Sequence, residues 1–206
     1  MNQENTLKLF ASALDDDLTI GNNHLLDDLP EVFSAADLLY FFAQRERLWP
    51  TLSADMQREV SLAMTEYYLS ALLLISSGDY RFDEKVHNLE HCILYGDLLS
   101  GAFSERLIDL GQAALLADWL VLLQRINHEL LTYSLEGKST HEKKRALVSQ
   151  LVEALAPENE RESMCREALN VLVNGTQPAA NIMKENEALT HCGTRLSTRD
   201  LKALGE

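Results

Sequence analysis

Several features that mark common protein classes are scarce or missing. The chain of 206 residues has three cysteines, Cys92, Cys165 and Cys192, and no CxxC pair. This odd, widely spaced set argues against both a disulfide framework and a zinc knuckle, and it suits a reducing compartment. Residues 1–4 lack the basic start of a signal peptide, and no apolar run reaches the roughly 18 residues of a membrane span. We therefore expect a cytoplasmic protein with no transmembrane segment.

Positive charge is also scarce. The chain has 18 Lys and Arg against 32 Asp and Glu, which gives a formal net charge of −14. Such a surface repels phosphate backbones, so we expect no nucleic-acid partner. Hydrophobic residues make up 46% of the chain, which is enough for a sizeable core.

The spacing of apolar residues is helical almost throughout, and no period-two stretch with hairpin chemistry is present. The sequence therefore predicts an all-α fold, a single helical domain over residues 1–206 with a looser tail after about residue 174. Tyr67, Tyr68, Phe41 and Phe42 are expected in its core. The predicted helices span residues 6–14, 30–48, 53–75, 84–110, 112–135, 139–157, a shorter segment to 173, 178–190, and 197 onward.

Capping residues support several of these boundaries. Ser53 and either Ser139 or Thr140 are good N-caps, and Gly111 and Gly137 are suited to close the helices before them. Residues 15–28 are predicted to form a polar loop.

The helix predicted over 84–110 contains Gly96 and Gly101, and each glycine costs about 1 kcal/mol relative to alanine. Close packing against a neighbouring helix is one explanation. The other comes from the pattern around Gly96-Asp97, in which an apolar run precedes Gly-Asp-x-Leu and a small residue with Ala-Phe follows. This pattern resembles the helix after the first aspartate-rich motif of trans-polyprenyl diphosphate synthases. It is most similar to the small, non-catalytic component of two-component synthases such as heptaprenyl diphosphate synthase component I.

The resemblance covers roughly residues 66–137 and implies an isoprenoid-synthase-like helical bundle with a shortened C-terminal end. Catalytic members of this family bind Mg²⁺ and diphosphate through two DDxxD motifs. At the place of the first motif, Asp79 and Asp83 keep the four-residue spacing, but Tyr80 replaces the second carboxylate. No second motif follows Gln150. A complete diphosphate site is therefore not expected, and Asp79 and Asp83 are the candidate remnant of one.

The resemblance implies a non-catalytic subunit that is inactive alone and binds no cofactor of its own. A catalytic large subunit would supply Mg²⁺ and the chemistry. The product would be a polyprenyl diphosphate for a quinone side chain, as in menaquinone biosynthesis, and this chain would help to shape the product tunnel. A second hypothesis is a helical interaction protein without enzymatic activity, such as a homodimer.

A third hypothesis is a zinc hydrolase. His87-x-x-Glu90-His91 matches the H-x-x-E-H pattern of inverted zinc peptidases, in which two histidines one helical turn apart bind zinc and the glutamate is the general base. A third ligand would have to come from elsewhere, with Glu129 and Glu153 as candidates. Known peptidases of this kind frame their substrate with strands, which the sequence does not predict.

Overall fold

A computed structural model describes residues 3–20, 23–25, 33–77 and 86–175. These ranges are helical apart from short connections and one two-residue antiparallel pairing of β1 (Thr19–Ile20) with β2 (Asn23–His24), which confirms the all-α prediction. The helices are α1 (Gln3–Asp17), α2 (Ala35–Ala43), α3 (Arg45–Leu48), α4 (Ala54–Ser77), α5 (Val86–Asp109), α6 (Ala113–Leu135), α7 (Thr140–Leu155) and α8 (Arg161–Ala168), which continues into a π-helical turn, Leu169–Val173.

Helix α4 is the centre of the fold. From Val60 to Ile75 every side chain is buried except that of Leu74, and α1, α2, α3, α5 and α7 all pack against it. Each buried Leu, Val or Ile stabilises the fold by about 1.5–3 kcal/mol relative to an exposed one. Helix α4 is also long and apolar enough to cross a membrane, but 83% of its most apolar window is buried within the chain. The core helix of a bundle has the same properties.

Aromatic side chains connect α4 to its neighbours. The Phe41 and Tyr68 rings meet edge to face with centroids 5.6 Å apart, and Tyr67 contacts Phe103 of α5 at 5.6 Å. Phe103 in turn stacks on Trp119 of α6. The four aromatic residues predicted for the core, including Phe42, are all buried.

The predicted single helix over 30–48 is wrong in two respects. Within the described part it begins at Ala35, because Ser34 forms a capping box with Asp37. It also breaks at Gln44, whose side chain donates to Glu167 at 2.8 Å and accepts from Arg47 at 3.0 Å. The partner of Gln44 lies in α8, more than a hundred residues away, so no local pattern could reveal the break.

Other helix boundaries agree with the sequence. Gly111 and Gly137 adopt φ of 67° and 70° and close α5 and α6, as expected for left-handed C-terminal glycines. Ser139 caps α7 in a capping box with Glu142, and hydrogen bonds from the Ser139 backbone and side chain lower the pKa of that carboxyl. Ser53 accepts from the Met56 amide at 3.3 Å.

The predicted loop over 15–28 starts too early, because α1 remains helical to Asp17. This extension brings the Asp17 carboxylate to Arg106 of α5, and the ion pair holds the last turn. The helices predicted over 178–190 and from 197 lie outside the described residues.

A buried polar junction joins α2, α4 and α7. Asp37 is 1% exposed, and its Oδ1 accepts from the Tyr68 hydroxyl at 2.7 Å and lies 3.0 Å from Lys144 Nζ. Its Oδ2 accepts from the Ser34 amide at 2.9 Å and hydroxyl at 2.8 Å. The carboxylate is therefore fully satisfied, and removing it would leave a lysine and a buried hydroxyl without their acceptor.

We expect Asp37→Ala to lower the free energy of unfolding by about 3–5 kcal/mol, because it leaves the buried Tyr68 hydroxyl and the partly buried Lys144 without their acceptor. Tyr68→Phe should cost only about 1 kcal/mol, since it removes one hydrogen bond. Glu162→Ala is the matched control, because it breaks an exposed ion pair with Arg166 and should cost less than about 1 kcal/mol. Urea unfolding of the three variants tests this order, and an Asp37→Ala loss no larger than the control would contradict it.

Candidate functional site

Helix α5 has two faces of different character. Its inner face, with Cys92, Tyr95, Leu99, Phe103 and Leu107, is buried against the core. Its outer face leaves large apolar side chains in solvent: Ile93, Leu94, Leu98 and Ile108 are each between 44% and 58% exposed. Isolated exposed leucines are ordinary, but apolar side chains recurring along one helix face indicate a contact surface.

Gly96 lies at the contact between α5 and α4. The Ser70 hydroxyl donates to the Gly96 carbonyl at 2.8 Å. A Cβ added at Gly96 would lie 3.7 Å from the Ser70 carbonyl oxygen and 3.8 Å from the Leu73 Cβ. The expectation that this glycine serves helix packing therefore fits its surroundings. Asp97, the next residue, is exposed on the outer side of α5.

Gly101 has no such partner. A Cβ built at this position would meet nothing within 4 Å, and the residue is exposed on the outer face. Gly96 therefore lies in a helix contact, as the packing explanation expects, whereas no packing within the described chain accounts for Gly101.

A cluster of charged side chains lies beside this face and joins α1, α4 and α5. The Arg106 guanidinium contacts three carboxylates: Asp17 at 2.7 Å, Glu66 at 2.7 Å and Glu59 at 3.2 Å. Glu59 is also contacted by Arg58 at 2.9 Å. Arg106 is the one Lys or Arg residue of α5, and this cluster turns it away from the outer face.

Glu66 is the buried member of the cluster. It is 0% exposed, its Oε1 accepts from Arg106 Nε, and its Oε2 has no hydrogen-bond donor within the described structure. Burial and the neighbouring Asp17 carboxylate raise the pKa of Glu66 to about 9, against the attraction of Arg106. At neutral pH the carboxyl therefore carries a proton, which its second oxygen can donate.

An open cleft of about 270 Å³ lies next to the cluster. Its charged lining consists of Asp17, Glu59, Glu105, Asp109 and Arg106. Glu105 and Asp109 are exposed and form no ion pair with any residue in the described ranges. Because Arg106 is already held by the Asp17 and Glu59 carboxylates and by Glu66, the cleft presents a negative surface.

The sequence-predicted site residues fall in different places. Asp79 and Asp83 lie outside the described residues, and so does the side chain of His87. Glu90 is exposed, and the His91 ring packs edge to face on Tyr95 with centroids 6.1 Å apart.

The two candidates for a third zinc ligand do not join the described part of this motif. Glu129 accepts a hydrogen bond from Gln150 between α6 and α7, and Glu153 is exposed on α7. Among the side chains that the structure describes, no group of three histidines, cysteines or carboxylates is placed to hold a metal ion.

The charged cluster was missed at the level of sequence. Its one local signal is Glu66, a single carboxylate in an apolar stretch of α4. A buried acid of this kind needs a partner, but the identity of that partner, Arg106 forty residues later, depends on how α4 and α5 pack.

No protein-family model matches the chain, and neither the curated proteins nor the solved structures show a significant match to it.

The two glycines of α5 should respond in opposite ways to larger side chains. Gly96→Leu should lower the free energy of unfolding by about 1–3 kcal/mol, because it forces α4 and α5 apart. Gly101→Leu is the matched control and should be neutral or stabilising by up to about 1 kcal/mol, since leucine favours the helix and meets no neighbour. Urea unfolding of the isolated chain measures both, and equal losses would contradict the packing described here.

Glu66→Gln should change the pH dependence of stability. The folded state keeps the Glu66 proton up to pH about 9, whereas the unfolded chain loses it near its ordinary pKa of 4.5. The unfolded state thus binds fewer protons across this interval, so stability falls as pH rises, by up to about 1.4 kcal/mol per pH unit for this one group. Glutamine mimics the protonated acid and removes this contribution.

The difference in unfolding free energy between Glu66→Gln and the wild type should therefore grow in favour of the variant as pH is raised. Denaturant titrations at a series of pH values measure it. Glu105→Gln, at an exposed acid of the adjoining cleft, is the control and should follow the wild type. Parallel curves for Glu66→Gln and the wild type would show that Glu66 is ionised in the folded state.

Proposed function

We propose that this chain is the non-catalytic subunit of a heteromeric long-chain trans-prenyltransferase and acts together with a catalytic large subunit in the cytoplasm. The observation that carries the proposal is the exposed apolar outer face of α5, with Leu94, Leu98 and Ile108 in solvent. It lies on the same helix as the Gly96-Asp97 pattern that resembles small subunits of two-component synthases. A subunit that must bind another protein needs such a surface.

Two further features support this proposal. The resemblance extends over residues 66–137, a stretch that contains the close packing of α4 on α5 through Gly96 and the start of α6 beyond Gly111. In addition, Asp97 points outward rather than into the core, where a partner can reach it.

In this proposal the large subunit binds Mg²⁺ and both diphosphate substrates, and it carries out the transfer. The present chain contributes a helical surface that completes the assembly and shapes the tunnel for the growing product. The product is a polyprenyl diphosphate for a quinone side chain. Asp79 and Asp83 remain the candidate diphosphate contacts of this chain.

The test is reconstitution with the catalytic prenyltransferase subunit from the same cell, in the presence of Mg²⁺, an allylic diphosphate and isopentenyl diphosphate. We expect no polyprenyl product from this chain alone, and product when both subunits are mixed. The double variant Leu94→Arg/Leu98→Arg should abolish co-elution of the two subunits and the gain in activity, because it places charges in the apolar contact.

Leu9→Arg is the control, since Leu9 is a leucine on α1 that is 49% exposed, between Leu98 at 44% and Leu94 at 52%, and it should leave both readouts unchanged. If a saturating amount of the large subunit neither binds the chain nor gains activity, the proposal is wrong. A stable homodimer that does not bind the large subunit would favour the alternative of a helical interaction protein that self-associates.

A further inference from the structure

The outer face of α5 combines apolar and acidic side chains in one stripe. Glu90, Leu94, Asp97, Gly101, Glu105 and Ile108 recur at steps of three or four residues, so they share one side of the helix. Leu98 borders the same stripe. Because Arg106 is turned inward, this side of α5 carries carboxylates and no Lys or Arg side chain.

Gly101 lies at the middle of this stripe. A glycine inside a helix costs about 1 kcal/mol relative to alanine, and no contact within the described chain accounts for it. Without a side chain at this point, the backbone of an approaching helix can come closer to α5 than it could at any other position of the stripe.

The cleft of about 270 Å³ opens at the C-terminal end of the stripe, and Glu105 and Asp109 belong to its lining. Both carboxylates are exposed and without an ion pair in the described part of the chain. A lysine or arginine that enters from outside would find acceptors there. Arg106 does not neutralise them, because Asp17, Glu59 and Glu66 already surround it.

These charges argue against a second copy of the chain as the occupant. Two α5 helices that cross antiparallel at Gly101 would place Asp97 of one copy opposite Glu105 of the other. A parallel pair would place each carboxylate opposite its own counterpart. Both arrangements bring like charges together, which destabilises a contact and selects against that partner.

We propose that the outer face of α5, together with the adjoining cleft, binds a helix of a different protein that carries apolar residues every three or four positions, flanked by Lys and Arg. Its apolar side chains pack on Leu94, Leu98 and Ile108, its backbone crosses α5 at Gly101, and one basic side chain enters the cleft between Glu105 and Asp109. This inference rests on the proposed function for the identity of the partner. The chemistry of the contact does not depend on that function.

A designed peptide tests the chemistry of the contact directly. The probe is a fluorescent, helix-forming peptide of about 20 residues with leucines at helical spacing and flanking lysines. The reference peptide has glutamates in place of the lysines. Fluorescence anisotropy with the full chain should show binding of the lysine peptide that weakens with added salt, and no binding of the glutamate peptide.

Two variants of α5 and one control then locate the contact. Asp97→Lys/Glu105→Lys should bind the lysine peptide at least about tenfold more weakly, because it reverses the charge of the stripe. Glu158→Lys/Glu162→Lys makes the same change in net charge at exposed positions around the start of α8, and it should leave the affinity nearly unchanged. Gly101→Gln, which fills the crossing point without changing charge, should also weaken binding about tenfold.

Any one of three results would overturn the inference. The first is that the lysine peptide does not bind, and the second is that the glutamate peptide binds equally well. The third is that the Glu158/Glu162 control loses as much affinity as the α5 variant. Circular dichroism verifies that each variant keeps its helices. If a charge reversal unfolds the chain, Leu94→Gln/Leu98→Gln tests the same contact. This variant should weaken binding of the lysine peptide through loss of the apolar contact.

Photocrosslinking separates this inference from the proposed function. Benzoylphenylalanine in place of Leu94, in the cell that makes the protein, should crosslink to a segment of another protein with the apolar and basic pattern stated above. An adduct with a second copy, an adduct with a segment lacking that pattern, or no adduct would contradict the inference. If the segment has the pattern but belongs to a protein that is not a prenyltransferase, the surface assignment stands and the proposed function fails.

Discussion

Between Val60 and Ile75, α4 exposes one side chain, that of Leu74, and this burial on almost every side constrains the rest of the fold. Polar groups on α4 must find their partners inside the protein, since they cannot reach water. Ser70 does so at the Gly96 carbonyl, Tyr68 at Asp37, and Glu66 at Arg106. Each of these contacts also fixes the position of a neighbouring helix, so the internal polar groups of α4 determine how α2 and α5 are placed around it.

The two sides of α5 follow from the same constraint. Its inner side meets α4 at Gly96, and its single arginine is turned inward to Asp17, Glu59 and Glu66. The outer side is left with two leucines, two isoleucines and acids that form no ion pair with another described residue. The charge pattern of the exposed surface is thus partly a result of the contacts below it, because Asp17, Glu59 and the buried Glu66 together hold the one arginine of α5 that would otherwise balance the stripe.

Features set by local chemistry could be predicted from the sequence. The spacing of apolar residues predicted the helices. Gly111, Gly137 and the choice of Ser139 or Thr140 predicted three of their ends, since caps depend on neighbouring residues. The break at Gln44 could not be predicted, because it depends on Glu167 of α8. The same holds for the candidate site: Gly96-Asp97 stood out in the sequence, but the cluster of Glu66 with Arg106 and the difference between Gly96 and Gly101 depend on which helices meet.

The protonated state of Glu66 also affects the charge of the whole molecule. The formal value of −14 counts every carboxyl as ionised, and with its pKa raised to about 9 the Glu66 carboxyl makes the folded protein less negative by one charge near neutral pH. Folding under these conditions takes up a proton from the solvent, because the unfolded chain releases it. The heat of unfolding measured by calorimetry therefore includes the ionisation enthalpy of the buffer, and it differs between phosphate and Tris even when the protein itself behaves identically in both.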